Sequence, residues 1–495
     1  MTGNYTKLTA KMQKISHIYN AMGILSWDNS TYMPSKSGSA RAADMATLST
    51  IAHNLLTEDE TKDLITASKD ESADLNEWEK ANLREIEKNY IHSSALDEEL
   101  VSRSSIISSE SEMAWREARK NNDFKTYSSY LEKVVEVTRE IADVKSQKLL
   151  LKPYDSLIDS FSPGLCEKDI EVVFNELKSK LPSLITKIIE KQKSDNPILL
   201  DNIFPAEKQE KVGLKIMEKM GFDFERGRLD TSIHPFCGGN SHDVRITTRY
   251  DEKDPLKSLM GIIHETGHAL YEMNLPTNYK NQPVGRALGM AIHESQSLIM
   301  EMQVARGRFF TDIISEAMIS EFGNMPVLQP DNLYKLINKV DRSLIRVDAD
   351  EVTYPMHVIL RFEIEQAFMS GDLKVNDLPE IWKEKMKKYL NIEVPNDSNG
   401  CMQDIHWPAG MFGYFPSYSY GAMIASQLFE SAKNNNKNII IDLEKGNFTS
   451  INEFLNKKLR SKGRLNNFNN TMIHATGKNL DPQIFLHYLE NKYMK

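Results

Sequence analysis

The chain has no surplus of positive charge, no long apolar run and few cysteines. Across 495 residues, 61 Lys and Arg face 70 Asp and Glu, a net charge of −9 spread along the sequence. Nucleic acids and anionic membranes both require a basic face, so neither is expected as a partner. No apolar run approaches the roughly 20 residues of a membrane-spanning helix. The opening stretch, "MTGNYTKLTAKMQKISHIY", lacks the apolar centre of a secretory signal and reads as a polar, amphipathic helix. Cys166, Cys237 and Cys401 are odd in number and far apart, which excludes a disulfide framework or a paired-cysteine metal site. These absences point to the cytoplasm. There is no internal repeat and no linker, so residues 1–495 are read as a single domain.

What is present is helical periodicity. Leu8, Met12, Ile15, Tyr19, Met22 and Leu25 form one stripe, and that helix must end before Pro34. A second stripe runs from Leu75 to Tyr90, and a third from about Phe124 to Leu151. Between about 225 and 253 the texture changes to short β-branched runs broken by Gly, Asn and Asp, which predicts a small sheet. Helices then resume at Asp254–Pro255, an N-cap followed by a good first helical residue. More are expected at 286–306, 311–322, 331–345, 354–370, 378–390 and 421–434. The aromatic stretch "WPAGMFGYFPSYSYG" and the asparagine-rich "KNNNKN" and "RLNNFNNTM" read as loops. The fold class is mainly α, with a helical first lobe to about residue 200 and a second lobe over 201–495.

The stretch "GIIHETGHALYEMN" carries the chemistry. His264 and His268 lie one turn apart on one helix face, so both imidazoles can reach one ion. Glu265 is rotated about 100° from His264 and can stand beside the ion, placed to take a proton from water. The surrounding Leu259, Ile262, Ile263 and Leu270 make the helix buried, where two unpartnered imidazoles would be costly.

A hydrolytic zinc site has three protein ligands and an open position. Glu272, one turn beyond His268, would crowd along the helix axis and is more plausibly a supporting residue. No third histidine follows a nearby glycine. The next helix, "AIHESQSLIMEMQ", offers His293 and Glu294 and folds back on the first. Glu294 is preferred, because a His2Glu shell leaves the ion enough charge to polarise water and a carbonyl. His293 then points elsewhere and serves a neighbouring group.

With "HETGH" followed by "HESQS", the chain resembles the carboxypeptidase Taq family of metallocarboxypeptidases. The likeness continues in "SIHPF", "DVRIT", "IRVDAD" and "GCMQDIHW", which match the family's HPF, D-x-R-x-T, I-R-x-x-A-D and G-x-x-Q-D-x-H-W motifs. It extends to the segments around Trp27, Trp115 and Asp159. The resemblance implies a two-lobed helical clamp around a deep groove, a homodimer, and stepwise removal of C-terminal residues from peptides. It carries zinc or cobalt, one ion per chain, onto His264, His268 and Glu294, and the general base onto Glu265. One departure is Tyr420 in "PSYSYG", where family members often have leucine.

A carboxypeptidase also needs a cation for the terminal carboxylate, and arginine suits it by its planar fork. Arg346 is the first choice, against a plain ion pair to Asp348 or Asp350. Arg245 reads as a groove-shaping residue held by a carboxylate, with direct substrate contact the alternative. His406 could donate to the oxyanion, while Gln403 and Asp404 belong to the same polar loop; Asp404 either orients that loop or touches substrate. Of Tyr414, Tyr418 and Tyr420, at least one phenol is expected at the oxyanion, and Tyr420 is favoured. His234 is expected to line the groove. Competing readings are a helical zinc oligopeptidase or dipeptidyl carboxypeptidase, and a non-catalytic zinc scaffold.

Overall fold

The computed structural model describes residues 3–495. Met1 and Thr2, which open the first stretch read as helical, lie outside the described residues. Helices α1 (Gly3–Ser30), α2 (Gly38–Thr57), α3 (Asp59–Asp70) and α4 (Glu77–Ser94) bury Leu8, Met12, Ile15, Leu64 and Ile86 in a small core of their own. A capping box starts α4: Asn76 Oδ1 accepts from the Glu79 N–H, and Glu79 accepts from the Asn76 N–H.

Helices α5 (Glu98–Asn121), α6 (Phe124–Leu149), α7 (Pro153–Phe161) and α8 (Glu167–Gln192) join the main core instead. The segment expected as a first lobe is therefore divided between two apolar cores. After α9 (Ala206–Met220) come β1 (Gly227–Thr231), β2 (Cys237–Asn240) and β3 (Asp243–Thr248), the small sheet foreseen near 225–253. Central β3 pairs parallel with β1 and antiparallel with β2. Its buried Val244 and Ile246 pack on Ile262, Ala269 and Met273 of α10 (Pro255–Met273). The sheet thus backs the two-histidine helix, whose first turn is capped by Asp254 onto the Lys257 N–H.

Helix α11 (Gly289–Leu298) continues as a π-helical segment, Ile299–Ala305. The later helices are α12 (Thr311–Phe322), α13 (Pro330–Ile337), α14 (Tyr354–Ser370), α15 (Leu378–Leu390) and α16 (Pro416–Asn435), then α17 (Ile439–Glu444), α18 (Thr449–Lys458), α19 (Phe468–Thr476) and α20 (Pro482–Met494). Three expectations are corrected. The helix foreseen over 331–345 stops at Ile337, because Asn338 turns its amide onto the Tyr334 and Arg306 carbonyls, 3.0 and 3.1 Å away. "PSYSYG" is not loop: Pro416, at a position that needs no N–H donor, opens α16. Asn467 in "RLNNFNNTM" is the N-cap of α19, accepting from the Asn470 N–H at 2.9 Å.

Two glycines set the closeness of α10, α11 and α16. A Cβ on Gly267, inside "HETGH", would run into the Gln296 carbonyl and sit 2.6 Å from Ser297 Cα. A Cβ on Gly421 would lie 2.6 Å from Glu294 Cγ and 2.7 Å from its Cβ. α11 is therefore held between two helix surfaces stripped of side chains, with Gly267 against Gln296 and Ser297 and Gly421 against Glu294. Gly421→Ala should cost about 1–3 kcal/mol by overpacking. Urea unfolding of the metal-free protein measures it; an unchanged midpoint would show that α16 yields without cost.

Candidate active site and metal centre

On α10 the rings of His264 and His268 have centroids 4.9 Å apart. From α11, Glu294 Oε2 lies 3.8 Å from His264 Nε2 and 3.3 Å from His268 Nε2. The three donor atoms fall within 4.8 Å of one another. One outward nitrogen is tied by a carboxylate and the other by a histidine that a carboxylate holds in turn. Glu301, on the π segment, places Oε2 2.9 Å from His264 Nδ1, and its Oε1 accepts from Arg306 Nη2 at 2.7 Å. His268 Nδ1 is 2.6 Å from His293 Nδ1, and His293 Nε2 is 2.9 Å from Glu272 Oε1.

These contacts dictate the tautomers. With Glu272 ionised, His293 offers Nε2–H to it and presents Nδ1 as an acceptor. His268 then donates from Nδ1, as His264 does to Glu301, and both Nε2 atoms face Glu294, bare on His268 and made so on His264 when a cation displaces its proton. Two neutral imidazoles and a carboxylate, each ring oriented by a carboxylate behind it, are the donor set a divalent ion takes. Glu272 and His293 thus have the supporting roles expected of them.

Electrostatics sharpen the picture. Burial, reinforced by Glu294 and opposed by His264, pushes Glu265 up to about 7. Burial and neighbouring His293 lower His268 to about 4, so its ring is neutral near pH 7. Burial opposes charge on His264, but Glu294 and Glu301 outweigh it and raise it to about 10; that is a proton a bound cation replaces. Glu301 resists burial through Arg306 and His264, falling to about 2, and stays ionised.

A cavity of about 290 Å³ adjoins the ligands and is lined by His264, Glu294, Arg346, Tyr354 and Tyr418. Arg346 donates to Asp404 Oδ1 from Nε and Nη2, at 3.0 and 2.9 Å, and from Nη1 to the Tyr354 phenol. Its partner is neither Asp348, which pairs with Lys257, nor Asp350, which accepts from the Val352 and Thr353 N–H groups. Arg361 takes the other Asp404 oxygen, Oδ2, from Nε at 2.7 Å. Gln403 Oε1 accepts from the Arg346 N–H and from Arg361, both at 2.9 Å. Both oxygens of Asp404 are therefore taken by guanidinium groups.

Tyr420 requires correction. On α16 it points about 200° away from Tyr418. Its ring is buried between Phe174 and Phe468, at centroid distances of 6.2 Å each. Tyr418 faces the ligands instead, with its phenol 3.3 Å from His406 Nε2. His406 is buried behind it and lowered to about 4, chiefly by burial. Arg245 is held by Asp243 through two 2.9 Å contacts and stacks on Trp27 at 4.2 Å, and it is not among the residues lining the cavity beside Glu294. His234, expected to line the groove, is exposed between β1 and β2 and is not among the residues lining that cavity.

Sequence reasoning missed Glu301, Arg306 and Arg361. Glu301 was accessible in principle, since seven residues past Glu294 is two helical turns along the same face.

The model for the carboxypeptidase Taq (M32) metallopeptidases matches residues 7–493. The chain belongs to that family. This M32 metallopeptidase is 36% identical to carboxypeptidase 1 of Bacillus subtilis over 97% of this chain and 96% of that one. It is 32% identical to thermostable carboxypeptidase 1 of Pyrococcus furiosus, covering 99% and 98%. Among solved structures, Trypanosoma cruzi metallocarboxypeptidase 1 superposes with a TM-score of 0.97 at 36% identity, over 99% of each chain. No described helix of the M32 chain is long and apolar enough to cross a membrane.

Glu301→Gln in the metallopeptidase should weaken metal binding about 10- to 100-fold by loosening the His264 ring. Competition with a chromophoric chelator reads this; unchanged affinity would show that Glu301 does not orient the ligand.

Proposed function

We propose that this metallocarboxypeptidase releases single residues from free peptide C-termini, with Glu265 as general base. The carrying observation is the cavity of about 290 Å³ that places ligands His264 and Glu294 on one side and Arg346 on another. That space suits one amino-acid residue, not a long peptide. The His2Glu donor set suits zinc, with cobalt as the alternative. When bound, the ion supplies an electrophile that polarises the scissile carbonyl and acidifies water.

The remaining work falls to side chains. Glu265, buried and raised to about 7, accepts the proton of the attacking water and returns it to the leaving amine. Tyr418 donates from its phenol to the developing oxyanion, with His406 behind it. Two guanidiniums share the single carboxylate of Asp404, which leaves one positive charge over beside the cavity. That surplus supports Arg346 as the partner of the terminal carboxylate. Family membership supports a homodimer, and the three free cysteines support a reducing, cytoplasmic setting.

Glu265→Gln should retain its metal and lose turnover by a factor on the order of a thousand or more. Because this carboxyl titrates upward from 4.5 towards 7 and a nearby cation pulls it back, kcat/KM should fall with acid, its midpoint between those two values. Metal content, turnover and the pH profile together check the assignment; wild-type turnover in the variant would remove Glu265 as the base.

Incubating metal-loaded and chelator-stripped protein with an unblocked peptide, and with its C-terminal amide, tests the activity itself. Mass spectrometry should show a ladder losing one residue at a time from the free C-terminus, only with metal. Cleavage of the amide at internal bonds would favour the oligopeptidase reading.

A further inference from the structure

A second cavity, of about 820 Å³, is lined by His293, which stands behind His268, by Tyr414 and by residues of α1, α10 and the 280–290 segment. Tyr414 connects it to the first: its ring lies 5.3 Å from that of Tyr418, while Tyr414 itself faces the larger space. A peptide whose last residue fills the smaller cavity would continue here.

The lining is cationic in a chain whose net charge is −9. Lys280, Arg286 and Arg464 face the cavity together with His17 and His242, and the only carboxylate among the lining residues is Glu272, already engaged by His293. Arg464 reaches Glu85 at 3.5 Å and donates to the Ala287 carbonyl. Arg286 lies over the Tyr19 ring, 5.7 Å from its centroid, and neither it nor Lys280 makes an ion pair among the described residues. The local field is felt by its members. His242 is lowered by burial and then by Lys280, and Arg286 by burial and then by Arg464. Both are groups that a neighbouring anion would relieve.

We propose that this cavity is a specificity subsite in which Lys280 and Arg286 receive an acidic side chain, Asp or Glu, of the substrate upstream of the cleaved bond. The inference rests on the carboxypeptidase reading but fails separately from it. Two solvent-exposed ion pairs of ordinary strength correspond to a preference of roughly three- to tenfold.

The test uses the metal-loaded full chain and peptide sets of fixed C-terminus in which Gln, Glu or Lys occupies each upstream position in turn. Release of the terminal residue from the Gln peptides establishes the carboxypeptidase reading by itself. A kcat/KM ratio of Glu over Gln of roughly threefold or more at one position, shrinking towards one in 0.5 M salt, is expected. The ratio should collapse in Lys280→Gln/Arg286→Gln and invert towards Lys peptides in Lys280→Glu/Arg286→Glu, with folding checked by thermal melting. A wild-type ratio of one at every position would overturn the proposal. So would a ratio that both double variants leave unchanged, including through equal loss on Gln and Glu peptides, which would place the terminal carboxylate in this cavity.

Discussion

The close approach of three helices governs this protein. An imidazole pair on one helix is ordinary; a carboxylate brought within 3.3 Å of one ring and 3.8 Å of the other from a second helix is not. Helices usually pack 8–10 Å apart, at distances set by the side chains between them. Here glycines at 267 and 421 remove those side chains on both flanks of the strand of backbone carrying Glu294. The candidate ligand set is thereby built into the core rather than hung on loops, and a small sheet backs the histidine helix.

Charge is arranged in nested pairs around that centre. Each ligand histidine is backed by an acid, directly for His264 and through His293 for His268. Glu301 is in turn held ionised by Arg306, so buried charge is compensated outward from the ligands. Glu265 alone lacks such a partner. Burial holds it up at about 7, against the opposing pull of His264.

Much of this was legible in the sequence because the signals were local. Asp254 and Pro255 announced the start of the histidine helix, the 3.6-residue period gave the ligand face, and the β-branched run at 243–248 gave the sheet. Legibility failed where a residue's meaning depended on distant partners. Arg346 could be paired on paper only with its neighbours in sequence, whereas its carboxylate, Asp404, lies 58 positions away. Tyr420 was misread because proline, glycine and aromatics suggest a turn, although proline also opens helices, and two positions along a helix reverse the side chain's direction. Asn338 ended a helix whose apolar period ran on past it.

The π-helical segment after Glu294 has a consequence for how the chain can change. Its wide winding, seen in the Arg306 N–H bonding to the Glu301 carbonyl five residues back, delays the rotation of everything that follows. Deleting one residue there would restore ordinary winding and leave the downstream chain in nearly its present phase, because about five residues of π winding turn through roughly the angle of four residues of α winding. The segment is thus a place where the helix carries one residue more than its winding needs.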